Sequence, residues 1–262
     1  MKKIAAVLAL TLGLAYGTSA GAAETISVGA SPVPHAEILE FVKPLVAKEG
    51  VELKIVEFND YVQPNLATDD GQLDANYFQH RPYLVSFVNE HSLKNLKEVA
   101  TVHIEPIAIY SRTIKDITKV ADGASVAIPN DPTNGGRALL LLQKAGLITL
   151  ENPESITSTP LDIKDNPKGL KFTELEAPQL PRSLDEVDLA VINTNYAIGA
   201  NLNPVKDSIF IEDKDSPYVN ILVANTGSVD KEGMKILIKA LNSDDTRKFI
   251  NEKYQGAVVP AF

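Results

Sequence analysis

The sequence lacks cysteine and tryptophan entirely, and its 262 residues include only eight tyrosines and eight phenylalanines. Without cysteine, no disulfide framework, thiolate metal site, thiol catalysis or lipidated cysteine is expected. Basic residues are also outnumbered, and the formal charge of −9 argues against nucleic acid as a partner. What remains is an acidic globular composition with 44% hydrophobic residues.

Long apolar runs are missing as well. The longest lies at the N-terminus, where Met1-Lys2-Lys3 precedes an apolar stretch and the small residues 17–23. This is the three-part pattern of a secretory signal peptide over residues 1–23, with cleavage near Ala22 or Ala23. No later stretch approaches the roughly 20 apolar residues of a spanning helix, so the mature chain is expected to be exported and soluble.

Apolar runs of strand length alternate with helical spacing along the rest of the chain, which predicts an α/β fold with a largely parallel sheet covered on both faces. Pro44 is expected to kink or shorten the first helix. Further helices are predicted over 135–145, 181–186 and 231–249, and a helix-like stretch up to Leu66. Strands are predicted at 25–28, 51–58, 73–78, 106–111, 125–128, 171–175, 189–193, 209–212 and 219–224.

No linker rich in proline or glycine divides the chain, although roughly 240 residues exceed the commonest domain size. Two connected α/β lobes therefore fit better than separate domains. Polar clusters follow three predicted strands, at 76–80, 130–137 and 193–196. Ligands of such sheets bind beyond the carboxyl ends of strands, so a cleft between the lobes is the expected ligand site.

The cluster at 130–137 reads Asn-Asp-Pro-Thr-Asn-Gly-Gly-Arg, between an apolar strand and a helix. Backbone N–H groups at a helix start favour anions, and Arg137 can hold a carboxylate or phosphate through two parallel bonds. This pattern predicts a small anionic or zwitterionic ligand. The alternative is a capped surface turn whose arginine faces water.

Six segments in chain order resemble the MetQ/NlpA family, the substrate-binding components of bacterial methionine ABC importers: 58–65, 74–84, 128–137, 176–183, 191–194 and 215–220. The resemblance spans essentially the whole mature chain. It implies a two-lobed periplasmic-binding-protein fold of type II-like architecture, each lobe a mixed sheet flanked by helices, with the ligand in the interlobe cleft. Lobe 1 is expected over 24–107 and about 203–262, and lobe 2 over about 108–202.

The same resemblance implies methionine or a close analogue as ligand, an ABC permease as partner, and a monomer. Arg137 would bind the carboxylate, with Asn193 and Asn220 hydrogen bonding to the charged groups. Tyr61, Phe78 and His80 would surround the thioether, which packs favourably against aromatic rings. Tyr77, Tyr83 and Asn195 are secondary candidates, although alternation along a strand turns Tyr77 away from Phe78.

Other interpretations of these residues stay open. Asn193 and Asn220 can cap strand ends, and Phe78 can belong to the core. His80 can be a ligand contact, a satisfied polar group or a metal ligand. Since His35, His91 and His103 are scattered without metal-ligand spacing, no metal or cofactor is expected.

The main alternative function is a secreted enzyme using Arg137 as an anion cradle, but no Walker motif or nucleophile elbow is present. A binding protein for another amino acid or peptide, and an adhesive or structural protein, are further alternatives. Family members commonly carry a lipobox cysteine, whereas residues 20–23 read Ala-Gly-Ala-Ala. The expectation is therefore a soluble periplasmic protein without a lipid anchor. Which of L-methionine, D-methionine or a methionyl dipeptide binds is not fixed by these residues.

Overall fold

The structure is a computed structural model and describes residues 23–213 and 215–262, so the predicted signal peptide, apart from Ala23, lies outside the described residues. Two mixed sheets form the centres of two lobes, as the resemblance implied. No helix in these ranges is long and apolar enough to cross a membrane.

The first sheet has six strands in the order β13-β4-β12-β3-β1-β2. Strands β1–β3 are mutually parallel, and β12, β4 and β13 add antiparallel pairs. The strands are β1 (Glu24–Ala30), β2 (Val51–Glu57), β3 (Ala75–His80), β4 (Leu96–Ile104), β12 (Val219–Asn225) and β13 (Val259–Pro260). Its helices are α1 (Glu37–Lys48), α2 (Gln63–Asp69), α3 (Arg81–His91), α7 (Glu232–Leu241) and α8 (Asp244–Tyr254).

The second sheet has the order β11-β5-β10-β6-β9, with β10, β6 and β9 parallel. The strands are β5 (Ala108–Tyr110), β6 (Ser125–Pro129), β9 (Lys171–Leu175), β10 (Leu189–Ile192) and β11 (Phe210–Ile211); β7 (Thr149–Leu150) and β8 (Ile163–Asp165) form a separate pair. Its helices are α4 (Pro132–Lys144), α5 (Leu180–Ser183) and α6 (Thr194–Gly199).

Burial on both faces explains the short apolar strands of the second sheet. Val126 and Ile128 pack on one face with Leu139 of α4, whereas Ala127 between them packs on the other face with Leu180 of α5. A strand covered on both faces needs apolar side chains at every position rather than at alternate ones. The first sheet likewise packs against α1 and α7 through Ile26, Val28 and their neighbours.

Two segments of the chain connect the sheets. Residues 105–107 join β4 to β5, and residues 212–218 join β11 to β12. The two crossovers are hydrogen-bonded to each other, since the Glu212 amide donates to the Ile107 carbonyl at 3.0 Å. Strand β11 belongs to the second sheet, although the sequence placed the return to lobe 1 at about residue 203.

Several predicted boundaries differ from the structure. Helix α1 continues past Pro44 to Lys48, since the first sheet covers its apolar face. The helix predicted over 231–249 is two helices, because Ser243 accepts a hydrogen bond from the Thr246 amide and so begins α8. Strand β4 and helix α3 were not predicted at all.

Candidate functional site

A partly open cavity lies between the lobes, where strand ends and helix starts of both sheets meet. All eight residues predicted to bind the ligand line it: Tyr61, Phe78, His80, Tyr83, Arg137, Asn193, Asn195 and Asn220. Four lining residues were not predicted: Gln79, Glu105, Asn134 and Thr194.

Arg137 lies one turn further into α4 than the sequence suggested. The helix begins at Pro132, and Asp131 caps it by accepting a hydrogen bond from the Asn134 amide at 3.0 Å. The helix start is thus already occupied by a carboxylate and is not an open anion cradle. Gly136 serves packing, because a Cβ there would lie 2.3 Å from the Ile156 carbonyl oxygen.

The Arg137 guanidinium is buried and ties both crossovers to α4. Its Nε donates to Glu212 Oε1 at 3.0 Å, and its Nη2 donates to Glu212 Oε2 and, at 2.8 Å, to the Glu105 carbonyl oxygen. The Tyr218 ring lies 4.2 Å from the guanidinium carbon. The Nε–Nη2 edge is therefore bonded to Glu212, and no described residue is hydrogen-bonded to Nη1.

Asn134 organises the polar wall of the cavity. Its Oδ1 accepts from Asn193 Nδ2 at 2.8 Å and from His80 Nε2 at 3.1 Å, while its Nδ2 donates to Asp131. Asn193 stands at the N-cap position of α6, but its side chain makes no capping hydrogen bond. Its Oδ1 is buried without a partner among the described residues, and is therefore an acceptor available to a ligand.

His80 is a satisfied neutral imidazole. Its Nδ1 accepts from the Tyr83 amide at 3.1 Å and so caps α3, which leaves the proton on Nε2. Burial, aided by the nearby charge of Arg137, lowers the pKa of His80 to about 3. Both ring nitrogens are engaged, so of the three readings of His80 the satisfied polar group that also lines the cavity fits best.

Aromatic rings also line the cavity. The Tyr61 ring lies 5.9 Å from Phe78 and 5.8 Å from Tyr83, measured between centroids. Phe78 is both a cavity-lining residue and a member of a small core cluster with Phe87. The Tyr61 hydroxyl donates to Asn195 Oδ1 at 2.6 Å and thereby links the lobes. Tyr77 points to the other face of β3, as strand alternation requires.

Two histidines that look scattered in the sequence meet beneath the cavity. His35 Nε2 lies 3.2 Å and His103 Nε2 lies 2.7 Å from Glu105 Oε1, and all three residues are buried. The sequence does not reveal this cluster, because the two histidines are far apart along the chain. A metal would use these same atoms. The 2.7 Å separation is a hydrogen-bond length, which favours protons rather than an ion between them.

Comparison with known proteins identifies the family of this chain. Residues 26–262 match the family described as NlpA lipoprotein. The "D-methionine-binding lipoprotein MetQ" of Salmonella typhi is 51% identical over 218 residues, 82% of this chain and 80% of that protein. A two-lobed solute-binding protein is thus the class that the fold defines. The chain belongs to the NlpA lipoprotein family.

Solved structures agree with this membership. A nutrient-binding protein from Burkholderia cenocepacia, bound to methionine, is 45% identical with a TM-score of 0.87 and covers 90% of this chain and 100% of its own. An ABC transporter periplasmic substrate-binding protein from Coxiella burnetii is 39% identical with a TM-score of 0.85, covering 90% and 100%. These matches confirm the family and the fold that the six sequence segments implied.

Family membership also corrects one expectation. The sequence predicted a soluble protein without a lipid anchor, because residues 20–23 contain no cysteine. The family description and the name of the Salmonella relative are those of lipoproteins, so this prediction is wrong. It depended on residues 20–23 at the predicted cleavage site, of which only Ala23 lies in the described part of the chain.

Proposed function

We propose that this chain is the substrate-binding component of an ABC importer and that its ligand is methionine or a close analogue. The observation that carries this proposal is a single cavity lined both by a buried arginine with several amides and by aromatic rings. A free amino acid with an apolar side chain needs both. Relatives that are named for methionine and for ABC transport support the same conclusion.

The arginine and amide side chains of the cavity can bind both charged groups of an α-amino acid. Arg137 Nη1 is available for the carboxylate. Asn220 Oδ1 accepts from His35 Nε2 at 2.9 Å, which leaves its Nδ2 hydrogens as further donors. Asn193 Oδ1 is a buried acceptor suited to the ammonium. Because unpaired charge is costly to bury, this set of partners favours a zwitterion over a neutral solute.

The aromatic rings of the cavity suit a thioether side chain. Tyr61 and Phe78 present ring faces and edges about 6 Å apart, and sulfur gains roughly 0.3–1.5 kcal/mol from such contacts. The ring of His80 is neutral and closes the slot without adding a charge. We propose L-methionine, D-methionine or a methionyl dipeptide as the ligand, since each carries the thioether side chain.

The proposal extends to lobe movement. Lobe 1 would comprise 24–107 with the C-terminal segment, and lobe 2 the intervening residues from about 108, closing about the crossovers at 105–107 and 212–218. A permease would then receive the ligand on reopening. The alternative of a secreted enzyme is disfavoured by the Asp131 cap on α4, since the anion cradle that an enzyme would need is filled.

Thermal shift and calorimetry on ligand-stripped protein test this function. Methionine that binds only the folded form should stabilise it by about 2.7 kcal/mol at a hundredfold excess over Kd. Phosphate and nucleotides should give no comparable shift. Mass spectrometry of protein purified under native conditions would name a retained ligand. No response to either methionine enantiomer or to methionyl dipeptides would contradict the proposal.

A further inference from the structure

Glu105 lies in the first crossover and lines the cavity, with its side chain only 6% exposed. We propose that Glu105 supplies the negative charge that binds the ligand ammonium, and that His35 and His103 are positioning residues that hold it as neutral rings. This inference rests on the proposed function. It narrows the ligand class to amino acids with a free, charged α-amino group.

The hydrogen-bond partners fix the protons of both histidines. His103 Nε2 lies 2.7 Å from Glu105 Oε1 and carries the ring proton that it donates there, which leaves Nδ1 to accept from the Tyr77 hydroxyl at 2.5 Å. His35 Nε2 faces two oxygens, Asn220 Oδ1 at 2.9 Å and Glu105 Oε1 at 3.2 Å, and therefore also carries the proton. The His103 N–H thus donates to Glu105 Oε1, and the His35 Nε2, which donates to Asn220, lies close to the same oxygen.

Neither histidine neutralises Glu105. Burial lowers the pKa of His35 to about 4 and that of His103 to about 3, so both rings are uncharged near neutral pH. The same burial raises the pKa of Glu105, whereas the nearby Arg137 opposes that rise. The His103 N–H donor on Oε1 nevertheless favours a carboxylate over a protonated acid.

The Glu105 carboxylate has no Lys or Arg side chain bonded to it among the described residues. Arg137 is already bonded through Nε and Nη2 to the Glu212 carboxylate, so that pair is close to neutral. His80 is uncharged as well. Glu105 is then the acid of the cavity wall without a cationic partner. A buried carboxylate is costly unless it is paired, and a ligand ammonium placed between Glu105 and Asn193 Oδ1 would supply the missing charge.

Calorimetry with three ligands and matched variants tests the assignment. The ligands are methionine, methioninamide, which keeps the ammonium and lacks the carboxylate, and 4-(methylthio)butanoate, which lacks the ammonium. Glu105→Gln should weaken binding of methionine and of methioninamide by at least about tenfold, because a charge-assisted bond is lost. Its effect on 4-(methylthio)butanoate should be absent or reversed.

Two further variants complete the test. Glu105→Asp keeps the charge but withdraws it by one methylene, and should bind methionine with an affinity between wild type and Glu105→Gln. Asp213→Asn removes an exposed acid of the second crossover and should match wild type for all three ligands. Should Glu105→Gln fail to fold, Glu105→Asp takes its place, with the same selective loss for ligands that carry an ammonium.

The inference is overturned if Glu105→Gln binds methionine within about twofold of wild type, or if 4-(methylthio)butanoate loses affinity to the same extent, since uniform loss indicates a structural role. Failure of the proposed function would look different. Wild-type protein would then not bind methionine, and the Glu105 variants would be compared by calorimetry with the amino acid that does bind. If no ligand with a free α-ammonium binds, both proposals are wrong.

Discussion

Two ion pairs join helix α4 to the second crossover, two helical turns apart, and they differ mainly in burial. Arg137 pairs with Glu212 at side-chain exposures of 3% and 15%. Lys144 pairs with the next residue, Asp213, at exposures of 51% and 69%. The same helix and adjacent acids thus give one pair in the wall of the cavity and one in solvent.

The two pairs show that the effect of losing a charge depends on its burial and not only on its position along the helix. The buried guanidinium contacts Glu212, the Glu105 carbonyl and the Tyr218 ring at once, so each partner restricts the others. The exposed ammonium has water as an alternative partner and loses little when Asp213 is removed. Exposed pairs are worth about 0–1 kcal/mol, whereas removing one member of a buried pair costs roughly 3–5 kcal/mol.

Arg137→Ala should have the largest effect. It should weaken methionine binding by at least about 2 kcal/mol, because the ligand carboxylate loses its charged donor and Glu212 is left without a partner. Isothermal titration measures the binding, and circular dichroism checks that the lobes still fold. A folded Arg137→Ala protein with wild-type affinity would remove the difference between the two pairs.

The second largest effect should be a loss of folding stability in acid, which buried histidines cause and exposed histidines do not. The pKa values of His35, His80 and His103 are lowered from 6.5 to about 4, 3 and 3, first by burial. The unfolded chain therefore binds more protons below pH 6.5. Stability is fully present above that pH and declines as the pH falls towards 4, by up to about 1.4 kcal/mol per pH unit for each ring. Glu105 has a raised pKa in the folded protein, so its contribution to stability grows as the pH falls and partly offsets that of the histidines.

Urea unfolding between pH 7 and pH 5 measures this decline. His103→Gln should make the decline shallower by the share of one ring. His91 is exposed on α3, and His91→Gln should leave it unchanged. Equal effects of the two substitutions would show that burial of His103 does not govern the acid response.

Phe78→Leu should have a smaller effect on binding, by about 0.3–1.5 kcal/mol, because leucine still excludes water but gives up the contact between ring and sulfur. Selectivity among apolar side chains should also loosen. Phe87 packs in the same aromatic cluster without lining the cavity. Phe87→Leu should therefore lower stability and leave the affinity unchanged. Calorimetry with methionine and leucine compares the two variants, and equal losses of affinity would contradict a ligand contact for Phe78.

Local patterns explain how much of the fold could be predicted. Strand β6 is a continuous apolar run and was predicted almost to its ends. Strand β4 was missed because it carries Lys97, Glu98 and His103 and shifts register twice against β12, which destroys the alternation. Helix α3 was missed because Arg81-Pro82 looks like a break, although proline is favourable in a first helical turn.

The candidate site divides in the same way. Residues inside recognisable segments, such as Arg137 and Asn193, could be named from the sequence. Asn134 lies three residues before Arg137 on the same helix, and that spacing was a usable signal. The cluster of His35, His103 and Glu105 could not be predicted from the sequence, because only the pairing of β1, β3, β12 and β4 in one sheet brings these residues together. No periodicity encodes such a contact.

Lys144→Ala should have the smallest effect and sets the scale for the comparison. Lys144 and Asp213 are both more than half exposed, so water and salt screen the pair and its loss should cost under about 0.5 kcal/mol of stability. Affinity for methionine should stay within error, since neither residue lines the cavity. Urea unfolding of Lys144→Ala, Asp213→Ala and the double variant gives the coupling energy. A coupling near that of a buried pair would show that the exposed pair also holds the second crossover, and that burial alone does not distinguish Arg137 from Lys144.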